Sequence, residues 1–198
     1  MKSNFRKLVQ VALFASAANA APAMAQLDSL EPEKTATIGT ALVAASFDDQ
    51  FKAARELALA SRHDEALIAY TNLLLRSPAN ADVLLGRGQL YAWMRRWRES
   101  ELDLLAATAA SPNYSDAWFA LGNTYVWSEQ PKLAIEAYGH WLKLNPNEPA
   151  PYIARGRAYR TLGDFTAART DFEAAAALGA NASEIKNDLA SLTIRVQN

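Results

Sequence analysis

Residues 115–148 read SDAWFALGNTYVWSEQPKLAIEAYGHWLKLNPNE, and their spacing of glycine, tyrosine and proline returns on both sides at an interval of 34 residues. Three residue types keep this interval, in the sets Gly88, Gly122 and Gly156, then Tyr91, Tyr125 and Tyr159, then Pro78, Pro112 and Pro146. A fixed period shared by several residue types indicates one supersecondary unit repeated along the chain. The period divides the chain into four repeats, 47–80, 81–114, 115–148 and 149–182.

The recurring residues predict that each repeat is a pair of helices, called here helix A and helix B, with positions numbered from 1 to 34. On helix A, positions 4, 7, 8 and 11 share one face, which places Trp118, Gly122 and Tyr125 together in the packing surface. Glycine at position 8 lets the neighbouring helix come close, and proline near position 32 ends helix B because its ring and missing N–H cannot continue the helix. The predicted structural residues of this kind are Gly88, Gly122, Gly156, Trp118, Tyr91, Tyr125 and Tyr159.

Position 7 carries an arginine in repeats two and four only. Arg87 and Arg155 stand there, and the same two repeats carry Asp103 and Asp171 at position 23 of helix B, whereas repeats one and three have apolar residues at both positions. An arginine on an inward face needs a counter-charge. The paired occurrence therefore predicts two ion pairs from helix A to helix B, Arg87 with Asp103 and Arg155 with Asp171.

The sequence pattern W-x2-L-G-x2-Y, followed by A-x3-F and P, resembles that of the tetratricopeptide repeat (TPR) family. Residues 115–148 carry it most densely, through Trp118, Leu121, Gly122, Tyr125, Ala134, Tyr138 and Pro146, and residues 47–80 are the weakest copy. The resemblance implies an all-α fold, a right-handed superhelical stack of four helix-turn-helix hairpins.

Residues 183–198 are predicted to form a capping helix, because a stack of repeats needs a polar-backed end. Ile185, Leu189, Leu192 and Val196 make one apolar stripe, with charged residues such as Asp188 elsewhere on the helix.

The first 25 residues are typical of a bacterial secretory signal peptide. Three basic residues open the segment, residues 8–18 form a short apolar run, and Ala23-Met24-Ala25 is a small-x-small cleavage site. Cleavage is expected after Ala25, with a cut after Ala20 or an uncleaved anchor as alternatives. Residues 26–46 are then an N-terminal tail, and the absence of cysteine excludes a lipid-modified lipoprotein, so the expected location is the periplasm.

The sequence offers few residues for catalysis, so we expect no enzyme activity, no cofactor and no metal site. Histidine occurs only at His63 and His140, which lack a partner at ligand spacing and are interpreted as surface residues. Without the three basic residues of the leader, 17 basic and 21 acidic residues remain, and this net charge of −4 argues against nucleic acid as the main partner. The basic run at residues 95–98 is interpreted as a turn between helices, with Trp97 packed inward.

A row of helix A positions opposite the packing face is the candidate binding surface. The resemblance implies that positions 2, 5, 9, 12 and 13 line the concave groove of a TPR stack. The predicted groove residues are Leu85, Gln89, Trp93, Phe119, Asn123, Trp127, Ile153, Arg157 and Arg160. Exposed tryptophans flanked by amides and arginines predict a binding strip. The alternative is that both tryptophans pack against the next helix or the tail.

The leading hypothesis is a non-catalytic periplasmic scaffold that binds an extended segment or helix of a protein partner in this groove. The alternative is a carbohydrate-binding module of an exopolysaccharide or cell-envelope secretion pathway, with Trp93 and Trp127 stacked on sugar rings. The segments Tyr91-Ala92-Trp93 and Tyr125-Val126-Trp127 are similar to the repeat half of YaiO-like outer-membrane proteins of exopolysaccharide secretion. Nucleic acid and stable membrane insertion of the mature chain are not expected.

Overall fold

The computed structural model describes residues 46–194, and within that range all regular secondary structure is α-helical. The helices are α1 (Phe47–Leu59), α2 (His63–Arg76), α3 (Ala81–Trp93), α4 (Trp97–Ala110), α5 (Ser115–Trp127), α6 (Pro131–Leu144), α7 (Pro149–Leu162), α8 (Phe165–Ala177) and α9 (Ala182–Ile194). The predicted all-α fold is confirmed in this range. The predicted signal peptide, residues 26–45 of the predicted tail and residues 195–198 of the predicted cap lie outside the described residues.

The helices follow the 34-residue frame without a shift. Helix A of the four repeats is α1, α3, α5 and α7, and each begins at position 1 of its repeat. The chain divides into two compact units, with a boundary between Pro112 and Asn113. The first unit holds the hairpins α1–α2 and α3–α4, and the second holds α5–α6, α7–α8 and the additional helix α9.

Local sequence signals fix the ends of these helices. The side chains of Ser46, Asn80 and Asp164 each accept a hydrogen bond from a backbone N–H three residues later, which caps the first turn of α1, α3 and α8. Pro131 and Pro149 begin α6 and α7, where a missing N–H removes no helical hydrogen bond.

The turn between helix A and helix B uses a left-handed residue at position 15 of every repeat. Ser61, Arg95 and Glu129 adopt φ values of 59°, 59° and 60°, and Gly163 adopts 90°. Only the fourth repeat places glycine there, so the sequence gives no glycine signal for the turn in the other three. The shared conformation shows that hairpin geometry overrides the preference of these side chains.

Glycine at position 8 lies directly against the residue at position 24 of helix B. A Cβ atom at Gly88 would lie 2.8 Å from the Leu104 side chain, and one at Gly156 would lie 2.7 Å from the Phe172 ring. At Gly122 a Cβ would overlap the Tyr138 ring. The predicted reason for the periodic glycine, a close approach of helix B, is confirmed.

Both predicted ion pairs are present. Arg87 and Asp103 form a two-point contact, with Nε to Oδ2 at 2.7 Å and Nη2 to Oδ1 at 2.8 Å, and both side chains are buried. Arg87 Nη1 also donates to Thr71 Oγ1 of α2 at 3.2 Å, so the pair ties repeat two to repeat one. Burial raises the pKa of Asp103, and the attraction of Arg87 opposes that shift. Arg155 and Asp171 repeat the geometry at 2.8 and 2.7 Å, but the Arg155 side chain is 22% exposed, against 1% for Arg87.

Gly122→Ala is expected to lower the free energy of unfolding by about 1–3 kcal/mol, because the new methyl group collides with a buried ring that cannot move without cost. Gly139→Ala on the same hairpin is the matched control. A Cβ at Gly139 meets no atom within 4 Å, so alanine should stabilise α6 by about 0.5–1 kcal/mol. Urea titrations measure both. Equal effects from the two changes would mean that the helix contact at position 8 is not close.

Asp103→Ala is expected to destabilise the chain by about 3–5 kcal/mol, since it leaves the Arg87 charge buried without its partner. Asp171→Ala should cost clearly less, because the Arg155 side chain is 22% exposed and not sealed from water as Arg87 is. Combining Asp103→Ala with Arg87→Leu should recover most of the loss, as an apolar pair fills the space without a stranded charge. Thermal and urea unfolding of the three variants provide the comparison, and a double variant less stable than Asp103→Ala would contradict this account.

Candidate functional site

The second unit presents an aromatic and amide ridge along α5, formed by Phe119, Asn123 and Trp127. These residues occupy positions 5, 9 and 13, and the four-residue spacing places them on one face of the helix. Phe119 is partly exposed, Asn123 is half-buried, and Trp127 is 50% exposed. The predicted surface position of these three residues therefore holds in the structure.

Helix α6 supports this ridge from beside it. The Trp141 ring lies 4.6 Å from the Phe119 ring, at an interplanar angle of 44°, and 6.1 Å from the Tyr138 ring. The Tyr138 hydroxyl donates a hydrogen bond to Asn123 Oδ1 at 2.6 Å. Burial raises the pKa of Tyr138, so its hydroxyl stays protonated and can donate.

This hydrogen bond fixes the orientation of the Asn123 amide between the rings of Phe119 and Trp127, which lie one turn before it and one turn after it on α5. Such an arrangement suits a ligand with an apolar portion and a nearby backbone or hydroxyl group, since the rings supply contact area and the amide supplies direction. Trp141 is a further residue of the site and was not among the predicted ones. A sequence signal for it exists, because Trp141 follows Tyr138 by three residues and so lies next to it on the surface of α6.

The first unit carries the corresponding ridge on α3, at Leu85, Gln89 and Trp93. Trp93 is 53% exposed and Gln89 is half-buried. Leu85 is only 7% exposed and belongs to the core, so its prediction as a surface residue is wrong. Position 5 on helix A borders the packing face, and an aliphatic side chain there is drawn into the hydrophobic core.

The predicted groove residues of repeat four are engaged by α9. Ile153 packs against the cluster of Phe172, Ile185 and Leu192. Arg157 and Arg160 both form ion pairs with Asp188 of α9, so their prediction as arginines open to a groove ligand is wrong. The physical reason is that α9 supplies carboxylates at the place where these cations would otherwise face water.

His140 also differs from its predicted role as a surface residue. Its ring stacks on Trp118 with centroids 4.1 Å apart and an interplanar angle of 9°, and it is half-buried, so it is not an ordinary surface residue. Burial lowers the pKa of His140, and nearby Lys143 lowers it further. The neutral ring is thereby favoured, which suits stacking in a desolvated position.

Trp118, Tyr91 and Tyr125 are buried as predicted, and Tyr159 is half-buried against the core of the second unit.

Among residues 46–194, no three His, Cys, Asp or Glu side chains are grouped so that they could hold a metal ion. Over the same part of the chain, none of the helices combines the length and the hydropathy that crossing a bilayer requires.

Comparison with known proteins supports the tetratricopeptide repeat family. A model of that family matches residues 115–148 and 150–178. Human tetratricopeptide repeat protein 16 is 26% identical over 124 residues, which cover 56% of this chain and 14% of that protein. A small glutamine-rich tetratricopeptide repeat-containing protein of Dictyostelium discoideum is 31% identical over 86 residues, covering 43% of this chain and 26% of that protein. The chain thus matches only a minor part of the length of these relatives.

Solved structures show the same fold. MamA superposes with a TM-score of 0.68 at 18% identity, covering 74% of this chain and 80% of that one. YrrB, described as a TPR protein with an unusual peptide-binding site, gives a TM-score of 0.65 at 21% identity, covering 75% of this chain and 77% of that one. At these identities the likeness establishes the fold of stacked TPR hairpins.

Proposed function

We propose that the chain is a non-catalytic scaffold of the bacterial periplasm that binds protein segments at two ridges, formed by positions 5, 9 and 13 of α3 in the first unit and of α5 in the second. The main support for this proposal is that both tryptophans at position 13, Trp93 and Trp127, are half-exposed, one in each unit. Each stands one turn beyond a carboxamide, Gln89 or Asn123.

Half-exposed tryptophans favour a binding role on physical grounds. An indole that keeps half its surface in water retains about half of the unfavourable hydration free energy of its apolar area, which a partner can relieve. Tryptophan is also the side chain that most often dominates binding energy when it lies at the centre of an interface. The neighbouring amide can pair with the backbone of an extended segment or with the polar edge of a helix.

The fold supports the same proposal. Proteins of the TPR family are generally interaction scaffolds without catalytic activity, and the peptide-binding site of YrrB belongs to a protein of the same fold. For this chain, peptide binding and the absence of enzymatic activity are proposals that rest on this likeness and on the exposed ridges.

The periplasmic location rests on the leader-like residues 1–25. The mature chain is expected to begin at Gln26 and to appear in the soluble periplasmic fraction. Fractionation followed by N-terminal sequencing tests this, and residue 1 retained on a membrane fraction would overturn it.

A carbohydrate ligand is the second candidate, and one observation favours it. Flat indole faces beside a fixed amide, as at Trp127 and Asn123, can stack on sugar rings and bind their hydroxyls. Retention of the chain on purified exopolysaccharide, set against crosslinking to a protein in cells, separates the two candidates.

Trp93→Ala and Trp127→Ala are expected to weaken partner binding by about 2–4 kcal/mol each, while leaving helical circular dichroism largely unchanged. The test has two stages. In the first stage, a photo-crosslinking amino acid in place of Phe119 captures the partner, which mass spectrometry identifies. In the second stage, calorimetry with the captured partner segment compares the affinities of the variants.

Two controls make this test specific. Leu75→Ala removes an apolar side chain that is 58% exposed on α2, away from the ridges, and should leave binding unchanged. Trp118→Ala removes a buried tryptophan and should instead destabilise the fold by about 3–5 kcal/mol. If Trp127→Ala unfolded the chain as Trp118→Ala does, the indole would be a core residue and the proposed ridge would be wrong.

A further inference from the structure

Helix α7 carries three arginines and no acidic residue, and two of the arginines are neutralised by α9. Arg155 pairs within its own hairpin, with Asp171 of α8. Arg157 and Arg160 point instead to α9, which begins after a short connection from α8. The surface of α7 that α9 covers is therefore strongly basic when considered without α9.

Asp188 is the centre of this contact. Its side chain is 8% exposed and accepts hydrogen bonds from Arg157 Nε at 3.0 Å, Arg157 Nη2 at 2.8 Å and Arg160 Nη1 at 2.7 Å. Glu184, one turn earlier, accepts from Arg157 Nη2 at 2.7 Å. Ser191 Oγ accepts from Arg160 Nη1 at 2.9 Å, so three residues of one α9 face hold the two arginines.

Three aliphatic residues form the apolar face of α9. Ile185 and Leu192 are buried in a cluster with Phe172, and Leu189 packs partly against it. Together with the carboxylates, this gives the pattern E-I-x-x-D-L-x-x-L over residues 184–192. The α7–α8 surface thus binds an amphipathic helix that carries two carboxylates four residues apart, each followed by an aliphatic residue.

The outer part of this contact is weakly held, although Asp188, Ile185 and Leu192 are buried. The Arg157–Glu184 pair is 43% and 42% exposed, and ion pairs in water contribute little to stability. Arg157 and Arg160 keep enough contact with solvent to be rehydrated if α9 leaves, unlike the fully buried Arg87. A last helix that packs on one side only is also among the elements that open first.

We propose that the basic surface of α7 is a second binding surface, for an acidic amphipathic helix of a partner, and that α9 occupies it as a built-in competitor. The surface lies on α7, at positions 9 and 12 of repeat four, whereas the ridges that carry Trp93 and Trp127 lie on α3 and α5. Its occupant is identified by charge complementarity and by the pattern that α9 itself displays. A partner helix of the same pattern would displace α9 and place its own carboxylates on Arg157 and Arg160.

The test uses the full chain and a fluorescent synthetic peptide with the sequence of residues 181–198 as the acidic helix. Fluorescence anisotropy should show weak binding to the unchanged chain, because tethered α9 competes. Glu184→Gln in the chain loosens α9 while keeping Asp188, and it should tighten binding of the unchanged peptide by about threefold or more. Asp188→Asn in the peptide should weaken binding by about tenfold or more.

A control peptide and a hydrogen-exchange measurement show whether the peptide binds at the surface that α9 covers. Lys186→Gln in the peptide changes an exposed residue of α9 and should leave the affinity unchanged. Hydrogen exchange should show faster exchange of the amides of residues 182–194 of the chain when peptide is bound, since α9 is displaced. An Asp188→Asn peptide that binds as well as the original, a Glu184→Gln chain that binds no better, or binding without faster exchange in α9 would each overturn the proposal.

Discussion

The distance between helix A and helix B at positions 8 and 24 sets the geometry on which each hairpin depends. Leu104, Tyr138 and Phe172 at position 24 lie where a side chain at position 8 would be, so a glycine is required in those three repeats. The first repeat has Ala54 at position 8 and still carries a large ring, Tyr70, at position 24. There the ring meets Gly86 of the next helix A, at 2.9 Å from a Cβ placed on that residue. The physical requirement is a small residue against the ring, and the sequence can supply it from either neighbouring helix.

Packing at positions 4, 7, 8 and 11 fixes which residues of helix A point elsewhere, but not what they meet. Position 5 illustrates the difference. Leu85 is buried, Phe119 is partly exposed beside Trp141, and Ile153 packs against a cluster that includes residues of α9. Helical phase alone therefore predicts a common face, whereas burial along that face depends on side-chain size and on the element that lies alongside.

Those limits explain which features could be predicted from the sequence. The helix frame, the reason for the periodic glycine and both arginine–aspartate pairs follow from residues that recur, or co-occur, at fixed spacing. The left-handed turn at Ser61, Arg95 and Glu129 could not be predicted, because hairpin closure imposes it on residues that have no preference for it. The stacking of His140 on Trp118 depends on the orientation of two rings across a helix pair, which a single sequence pattern does not encode.

The same arginine–carboxylate chemistry serves two different purposes in this chain, and burial decides which. Arg87 and Asp103 are sealed inside a hairpin, where separating them would leave charges in a medium of low polarity, so the pair acts as a fixed part of the core. The Arg157 and Arg160 side chains are 43% and 30% exposed, so both would be rehydrated if the buried Asp188 left with α9 in the proposed exchange. A contact that water can replace can also be replaced by another carboxylate. Exposure of the arginine side chain, more than the number of its hydrogen bonds, therefore separates the fixed Arg87 from Arg157 and Arg160, which we propose to be exchangeable.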